Sequence, residues 1–168
     1  MKKITLLSDT HSFLDDKILK HVKTADEIWH AGDIGSVEVA EKLASIAPLQ
    51  AVYGNIDGGD LRKMFSKDLF FTCEGLKVYI THIGGYPKRY DQRVRPIIER
   101  TRPDVFICGH SHICKVIRDQ ENKLLHINPG AAGNKGFHKI RTLINMKVSN
   151  AKITEMEVVE LGSRSSLS

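Results

Sequence analysis

The sequence contains few cysteines and no long apolar run. Its three cysteines, Cys73, Cys108 and Cys114, include no CxxC pair, so a disulfide framework is not expected and a reducing cytoplasm fits the composition. The longest strictly apolar run is Val105–Cys108, whereas a membrane-spanning helix needs about 20 residues. The N-terminal segment turns polar by Asp9, too soon for a signal peptide. We therefore predict a cytoplasmic protein that makes no use of a membrane.

Neither sign of charge dominates, and no stretch is of low complexity or repeated. The chain has 25 Lys+Arg against 20 Asp+Glu, a net charge of +5 over 168 residues. This mild excess permits an anionic substrate without indicating nucleic acid, since the basic residues form no aromatic platform of the single-strand-binding type. The length suits one domain with its own core. We predict a single domain over residues 1–162 and a flexible C-terminal tail over 163–168.

Short apolar segments alternate with helical patterns in the first half of the chain. Apolar residues at 14, 18, 19 and 22, and again at 37, 40, 43, 44 and 47, recur at helical spacing. Buried strands are predicted around these helices, at Lys3–Ser8, Glu27–His30, Leu49–Tyr53, Lys77–Thr81 and Asp104–Cys108. The second half carries mostly strand signals. This order predicts an α/β fold in which two sheets pack together with helices outside.

Polar residues that suit metal chemistry follow these strands at the point where each strand ends. They are, in chain order, Asp9 and His11, Asp33, Asn55, His82, and His110 with His112. The successive strand ends lie 22 to 28 residues apart, close to the length of a βα unit of about 30 residues. Parallel strands of this kind place their carboxyl ends at one edge, where α/β proteins bind ligands. The sequence therefore predicts that the seven side chains converge.

The seven side chains form a chemically coherent set. Two carboxylates, four imidazoles, one amide oxygen and no thiolate suit Mn, Fe, Zn, Ni or Co. Seven ligands are too many for one ion with open positions, but they fit two ions that share a carboxylate. Two ions about 3.5–4 Å apart can share a hydroxide and clamp a phosphate. Each motif alone is a common turn sequence, so the prediction of a dinuclear site depends on the ordered set.

Five motifs carry a resemblance to a known family. They are Asp9-x-His11, Gly32-Asp33-x-Gly35, Gly54-Asn55-x-Asp57, Thr81-His82 and Gly109-His110-x-His112. Together they resemble the signature of the calcineurin-like metallophosphoesterases, and the short chain and Asn128-Pro129-Gly130 are similar to its small YfcE-type phosphodiesterases. The resemblance spans about residues 3–160. It implies a four-layer α/β/β/α sandwich with two mixed β-sheets and a site above the strand ends.

The resemblance also implies a role for each ligand. One ion would be held by Asp9, His11 and His112, the other by Asn55, His82 and His110, with Asp33 as the bridge. The implied reaction is hydrolysis of a small phosphodiester by a hydroxide that bridges two divalent ions, with Mn expected first and Fe, Zn, Ni or Co as alternatives. Asp33 and Asn55 are then the catalytic residues, and Asn55 is expected to donate its amide N–H to a phosphoryl oxygen.

Two positions depart from the family pattern. Many members carry His after the Gly-Asn pair, where this chain has Ile56, and many read Thr-His-Gly-His, where this chain has Gly84-Gly85 after Ile83. An obvious general acid is therefore missing, and such an acid typically contributes about 10²–10⁴ in rate. We expect weak activity on esters with poor leaving groups and better activity on aryl diesters.

Several other residues have two interpretations each. Asn128 either contacts substrate or shapes its turn, and His138 either faces substrate or lies in a solvated loop. His30 either supports the bridging carboxylate or packs at a strand end. A basic cluster near His82 either grips a phosphate or forms a solvated basic face; it comprises Lys88, Arg89, Arg93 and Arg95.

Two other functions stay open at this point. A superfamily member that sorts vacuolar proteins, a retromer subunit, resembles these enzymes in fold yet serves largely as an interaction platform. The seven intact ligand residues argue against that function for this chain, whereas the missing histidines argue mildly for it. Double-strand-break repair nucleases share the motif set, but they carry added domains for which 168 residues leave no room. A homo-oligomer is also compatible with the sequence.

Overall fold

The computed structural model describes residues 1–166, which form twelve strands, four α-helices and one short 3-10 helix. The strands are β1 (Lys2–Leu7), β2 (Glu27–His30), β3 (Leu49–Ala51), β4 (Asp68–Cys73), β5 (Leu76–Thr81), β6 (Gly85–Tyr86), β7 (Arg89–Tyr90), β8 (Val105–Ile107), β9 (Cys114–Asp119), β10 (Leu124–Pro129), β11 (Ile140–Ser149) and β12 (Lys152–Ser163). The helices are α1 (Asp16–Val22), α2 (Val37–Ile46), α3 (Gly59–Met64) and α4 (Val94–Thr101), and the 3-10 helix is Arg164–Ser166.

Two five-stranded mixed sheets form the centre of the fold. The first has the order β12-β11-β1-β2-β3 and the second β4-β5-β8-β10-β9. In the first sheet β1, β2 and β3 are parallel, and in the second β5, β8 and β10 are parallel. The remaining strands of both sheets pair antiparallel. The prediction of two mixed sheets is confirmed.

Three apolar clusters hold four layers together. Trp29 and Ile80 belong to the cluster that fills the space between the sheets. Leu43 of α2 belongs to the cluster on the outer face of the first sheet, and Ile98 of α4 packs with residues of the second sheet. Each fully buried side chain of this size contributes about 1.5–3 kcal/mol. The α/β/β/α sandwich that the resemblance implied is therefore confirmed.

A buried ion pair joins β11 to the start of α1. Arg141 is fully buried and donates to both carboxylate oxygens of Asp15, at 2.9 and 3.1 Å, while Asp15 also caps α1 by accepting from the backbone N–H of Ile18. The Nε of Arg141 donates to the carbonyl of Ala132 at 2.8 Å. The next residue, Gly133, donates its N–H to the carbonyl of Asp9. The pair thus fixes the loop that supports the end of β1.

The structure differs locally from the sequence-based predictions. The third strand ends at Ala51 rather than at Tyr53, and Val52 continues it only as an isolated bridge to Ser66. The six-residue α3 and the β6–β7 hairpin were not predicted. Both elements are too short to show a periodic apolar pattern, so their positions depend on what they pack against.

The C-terminal boundary also differs from the prediction of a tail over 163–168. Ser163 is the last residue of β12, and Arg164 donates through its backbone N–H to the carbonyl of Lys139 and through its Nε to the carbonyl of His138. The last two residues of that predicted tail, 167–168, lie outside the described residues. None of the helices in residues 1–166 has the length and apolar character needed to cross a membrane.

Candidate metal centre

The seven predicted ligand residues come from both sheets and meet above the carboxyl ends of the parallel strands. The structure brings six of them into two groups of three, within which the potential ligand atoms lie within 4.8 Å of one another: Asp9, His11 and His112, and Asp33, His82 and His110. Asn55 joins the second group, because its Oδ1 accepts a hydrogen bond from Nδ1 of His110 at 3.0 Å. These are the same two groups that the family resemblance implies.

The Asp33 carboxylate lies between the two groups. Its Oδ2 is 3.4 Å from Nε2 of His11, which belongs to the first group, and 3.1 Å from Nε2 of His82, which belongs to its own. Asp9 contacts its own group more closely, with Oδ1 at 3.1 Å from Nε2 of His112. Oδ1 of Asp9 lies 3.8 Å from Nε2 of His82, so of the two carboxylates Asp33 approaches the histidines of both groups more closely.

The electrostatics of the site favour ionised carboxylates at Asp9 and Asp33 and positive charge on the imidazole of His11. Burial alone would raise the pKa of Asp9, but the neighbouring His11 and His112 hold it well below its usual range. The pKa of Asp33 is likewise lowered, because His11 and His82 outweigh its burial. The Asp33 carboxylate in turn raises the pKa of His11 to about 9. The site therefore stabilises added positive charge.

The donor set fits divalent transition-metal ions. The Nε2 atoms of His11 and His82 are buried and have no hydrogen-bond partner within residues 1–166, although both face Asp33. The other ring nitrogen of His82 donates to the carbonyl of Ala31 at 2.8 Å, which directs Nε2 into the site, as is usual for metal-bound histidines. Buried histidine nitrogens that face buried carboxylates are suitable ligands for such ions, and the site contains no thiolate among the seven predicted ligands.

The backbone of the site is strained at the ligands themselves. Asp9, His11, Asp33, His110 and His112 all have positive φ, between 47° and 70°. This left-handed region is uncommon for residues other than glycine, and strained backbone of this kind costs of order 1–3 kcal/mol per residue and clusters at functional sites. The fold thus holds five of the seven side chains in orientations that an extended strand end would not give them.

Glycines leave room for these ligands. A Cβ at position 32 would lie 2.7 Å from Nδ1 of His82, a Cβ at position 109 would lie 2.7 Å from Oδ2 of Asp9, and a Cβ at position 54 would overlap the Asp33 carboxylate. Ligand side chains are the closest neighbours at positions 32 and 54, whereas at position 109 the Oγ of Ser8 lies closer than the Asp9 carboxylate.

Gly54→Ala is expected to lower both activity and stability, because the added Cβ overlaps the Asp33 carboxylate and also the Asp33 backbone nitrogen. The added methyl group displaces the Asp33 carboxylate, and a misplacement of about 1 Å can cost about 10²-fold in rate, so we expect a loss of that size in kcat for a chromogenic diester. Gly58→Ala is the matched control, because nothing lies within 4 Å of a Cβ there, and it keeps wild-type activity. Equal activity of the two variants would contradict the close approach of Gly54 to Asp33.

The buried carboxylate of Asp57 ties two site loops together. Asp57 is 2% exposed and accepts three backbone N–H groups, from Ile34 at 3.1 Å, Gly35 at 2.8 Å and Gly54 at 2.7 Å. The first two flank Asp33 on its C-terminal side, and the third precedes Asn55. Asp57 therefore sets the distance between the loops that follow β2 and β3.

A second supporting residue is His30, which is fully buried. Its Nδ1 accepts from the N–H of Gly32 at 3.1 Å. Its Nε2 lies 3.0 Å from Oγ1 of Thr10, whose hydroxyl donates to the carbonyl of Ile34. The ring is therefore neutral, with its proton on Nε2 donated to Thr10. Of the two interpretations of His30, the structure favours the one in which His30 supports the loop that carries Asp33.

The neutral His30 makes stability depend on pH. Burial lowers the pKa of His30 to about 4, so between its unfolded value near 6.5 and about 4 the unfolded chain binds a proton that the folded chain does not. Stability from this residue is present above pH about 6.5 and is lost as the pH falls. Between pH 7 and pH 5, we expect the free energy of unfolding of wild type to fall by about 2 kcal/mol more than that of His30→Gln. Both proteins are unfolded with urea in the presence of a chelator. An equal loss of stability in the two proteins would contradict the neutral state of His30.

Asn128 and His138 were predicted to contact substrate or, alternatively, to play structural roles. Asn128 is fully buried; its Nδ2 donates to the carbonyl of Gly109 and to Oγ of Ser111, both at 3.0 Å, and its Oδ1 accepts from Gly130. The structure supports its turn-shaping role, which here means holding the loop that carries His110 and His112. His138 donates through Nε2 to the carbonyl of Gly133 and packs edge-on against the His112 ring, with centroids 5.0 Å apart.

Two of the four residues of the predicted basic cluster near His82 form ion pairs. Arg93 makes two bonds to the Asp68 carboxylate, at 2.7 and 3.1 Å, and Arg95 pairs with Glu99 along α4 at 3.3 Å. The structure instead places Arg62 and Lys67, together with Arg93, around a cavity beside His82. The sequence analysis did not identify Arg62 and Lys67, because both lie far in sequence from Arg93 and from His82.

Comparison with known proteins agrees with this geometry. A family model described as the calcineurin-like phosphoesterase superfamily domain matches residues 1–151. The chain belongs to the calcineurin-like phosphoesterase superfamily. A probable metallophosphoesterase of Methanothermobacter thermautotrophicus is 30% identical over 133 residues, which cover 76% of each chain. Membership of the superfamily supports a phosphoesterase, a hydrolase that uses divalent metal ions.

Two solved structures of the superfamily fold are similar to this chain. One is a novel archaeal phosphodiesterase, with a TM-score of 0.70, 24% identity, and coverage of 94% of this chain and 99% of that chain. The other is the wild-type Vps29 of Entamoeba histolytica complexed with Zn²⁺, with a TM-score of 0.73, 15% identity, and coverage of 95% and 99%. Because both proteins are less than 25% identical to this chain, these similarities support the fold alone.

Proposed function

We propose that the protein is a dinuclear metal-dependent phosphodiesterase, with Mn²⁺ as the expected ion and Fe, Zn, Ni or Co as alternatives. The observation that carries the proposal is the Asp33 carboxylate, which faces histidines of both ligand groups at 3.4 and 3.1 Å. Asp9, His11 and His112 would hold one ion, His82, His110 and Asn55 would hold the other, and Asp33 would be shared by the two groups. The bound ions lower the pKa of water toward neutrality and neutralise the charge of a phosphate.

The side chains of this protein then position the substrate. Asn55 is exposed, and its Oδ1 is engaged with His110, which leaves its Nδ2 to donate to a phosphoryl oxygen. His82 is held by the carbonyl of Ala31, so its Nε2 keeps one direction. The phosphate is thereby oriented between the two loops that Asp57 ties together.

No histidine supplies a proton to the leaving group at the two positions where the family often has one. Ile56 is 47% exposed and carries no acid. A Cβ at Gly84 would lie 2.5 Å from the Phe106 ring and 2.9 Å from Cβ of Cys108, so no side chain fits there without rearrangement of the core. The expected substrates are diesters whose leaving group departs as a stable anion.

The test is hydrolysis of bis-p-nitrophenyl phosphate by chelator-stripped protein to which Mn²⁺ is added back, with the monoester p-nitrophenyl phosphate in parallel. We expect the metal to restore diester turnover, with little monoester turnover. Asn55→Ala and His82→Ala lower the restored rate by about 10²-fold or more, as is typical of lost transition-state contacts, whereas His21→Ala, on α1, retains it.

Two results would count against the proposal. Protein that binds two metal ions yet hydrolyses neither ester would favour the interaction scaffold, a reading that the likeness to Vps29 permits. Protein that binds no metal would contradict the assignment of the seven ligands. A nuclease is distinguished by salt-sensitive DNA binding, which we do not expect.

A further inference from the structure

A cavity of about 310 Å³ opens beside the candidate metal centre. Asn55 and His82 form the wall that it shares with the centre. Its size lies at the lower end of the range for small-molecule sites, about 300–1,000 Å³. A phosphodiester bound at Asn55 and His82 therefore has room to place one of its two ester groups in this cavity.

The charges that line the cavity are mostly positive, and they are not all compensated. Arg62, Lys67 and Arg93 line it together with one carboxylate, Asp91. Arg93 is neutralised by its two bonds to Asp68. Lys67 is exposed and has no ion-pair partner within residues 1–166, and the same holds for Arg62. Two cations therefore face one carboxylate.

Arg62 is held in place without being neutralised. Its Nε donates to the backbone carbonyl of Asp57 at 2.7 Å, and its guanidinium lies 4.6 Å from the centre of the Tyr53 ring. These contacts use a carbonyl and a π-face, so the positive charge is kept and the guanidinium is oriented before any ligand binds. An oriented guanidinium beside a flexible ammonium group is suited to a phosphate group, which accepts several charge-assisted hydrogen bonds.

We propose that this cavity binds a second phosphate carried by the substrate, so that the preferred substrates are diesters of a phosphorylated alcohol, such as a nucleotide with an additional phosphomonoester. The proposal rests on the proposed phosphodiesterase function. The scissile phosphate occupies the metal centre, and the second phosphate lies against Arg62 and Lys67.

The test compares two chromogenic diesters that differ only in the second phosphate. They are thymidine 5′-(p-nitrophenyl phosphate) and the same compound with a 3′-phosphate. We expect the 3′-phosphorylated ester to have a kcat/KM about tenfold higher, because its second phosphate accepts charge-assisted hydrogen bonds from the cations of the cavity, and we expect this ratio to fall with added salt.

Lys67→Gln removes one of the two cations and lowers the ratio several-fold. Lys63→Gln is the matched control, because Lys63 is an exposed lysine of α3 that does not line the cavity, and it keeps the wild-type ratio. If both esters are hydrolysed by wild type at the same kcat/KM, or if the ratio is the same in Lys67→Gln, the second-phosphate site is refuted while the phosphodiesterase function stands.

A binding measurement separates the two proposals if neither ester is hydrolysed. Calorimetry with thymidine 3′,5′-bisphosphate and thymidine 5′-monophosphate then reports on the cavity alone. Tighter binding of the bisphosphate that is lost in Lys67→Gln supports the anionic site although the phosphodiesterase function has failed. Equal binding of the two nucleotides refutes the anionic site as well.

Discussion

Asp33→Asn reduces Mn²⁺-restored hydrolysis of bis-p-nitrophenyl phosphate by at least about 10³-fold. Asp33 is the carboxylate that faces both His11 and His82, and its charge offsets that of the ions on either side. Losing a bridging charge costs several kcal/mol of transition-state stabilisation, and each 1.36 kcal/mol is tenfold in rate. The substitution preserves the size of the side chain, so packing against Gly54 is retained.

The same variant is measured for metal content and for folding. Elemental analysis after saturation with Mn²⁺ shows fewer than two ions per chain, while far-ultraviolet circular dichroism matches wild type. Asp60→Asn, at an exposed carboxyl in the first turn of α3, is the control and leaves both turnover and stoichiometry unchanged. An Asp33→Asn protein that kept a tenth of the wild-type rate would show that Asp33 is not the bridge.

Asp57→Ala destabilises the protein by about 3 kcal/mol or more and also lowers its activity. The variant leaves three backbone N–H groups without their acceptor, those of Ile34, Gly35 and Gly54, and each unsatisfied buried donor costs about 1–3 kcal/mol. The free energy of unfolding is measured by urea denaturation at neutral pH in chelator, so that metal binding does not contribute. Diester turnover is measured below the unfolding transition with Mn²⁺ restored.

Asp57→Asn tests whether the hydrogen-bond acceptors of Asp57, rather than the volume of its side chain, stabilise the protein. Its single amide oxygen replaces Oδ2, which serves Ile34 and Gly54, but not Oδ1, which serves Gly35, so its loss of stability falls between those of wild type and Asp57→Ala. Asp60→Ala changes stability by only about 0.5 kcal/mol, as exposed positions usually do. If Asp57→Ala were no less stable than Asp60→Ala, the bonds to Asp57 would not be what holds the two loops together.

The parts of the fold that follow a simple repeat could be predicted from the sequence. Alternating strand and helix patterns place Asp9, Asp33 and Asn55 at successive strand ends, because a parallel βα unit brings every such end to one edge. The turn between β4 and β5 also depends on two adjacent residues only: Glu74 and Gly75 both have positive φ, 49° and 83°, as the favoured two-residue hairpin turn requires. The placement of Asp9, Asp33 and Asn55 at one edge follows from topology, whereas the directions of the Asp9 and Asp33 side chains also depend on the positive φ of both residues.

The contacts that hold the site in its shape could not be predicted in the same way. Asp57 meets the loop after β2, and Arg141 meets Asp15 at a sequence separation of 126 residues. No local pattern encodes such partners, because each depends on how two distant segments are brought together by the sheets. The same holds for the cavity, where Arg62 and Lys67 are neighbours of Arg93 only in three dimensions.

Because the ligands come from two different sheets, the supply of metal affects how long the protein survives before it is degraded. Asp9, Asp33 and Asn55 extend from the first sheet, whereas the histidines at 82, 110 and 112 extend from the second, so the ions proposed here cross-link the two halves of the sandwich. Ions that bind only the folded chain stabilise it by about 2.7 kcal/mol at 100 times their Kd. The unfolded fraction, which proteases remove, then falls about 100-fold. Metal-starved protein is therefore degraded faster than the loaded form, and its abundance follows the metal.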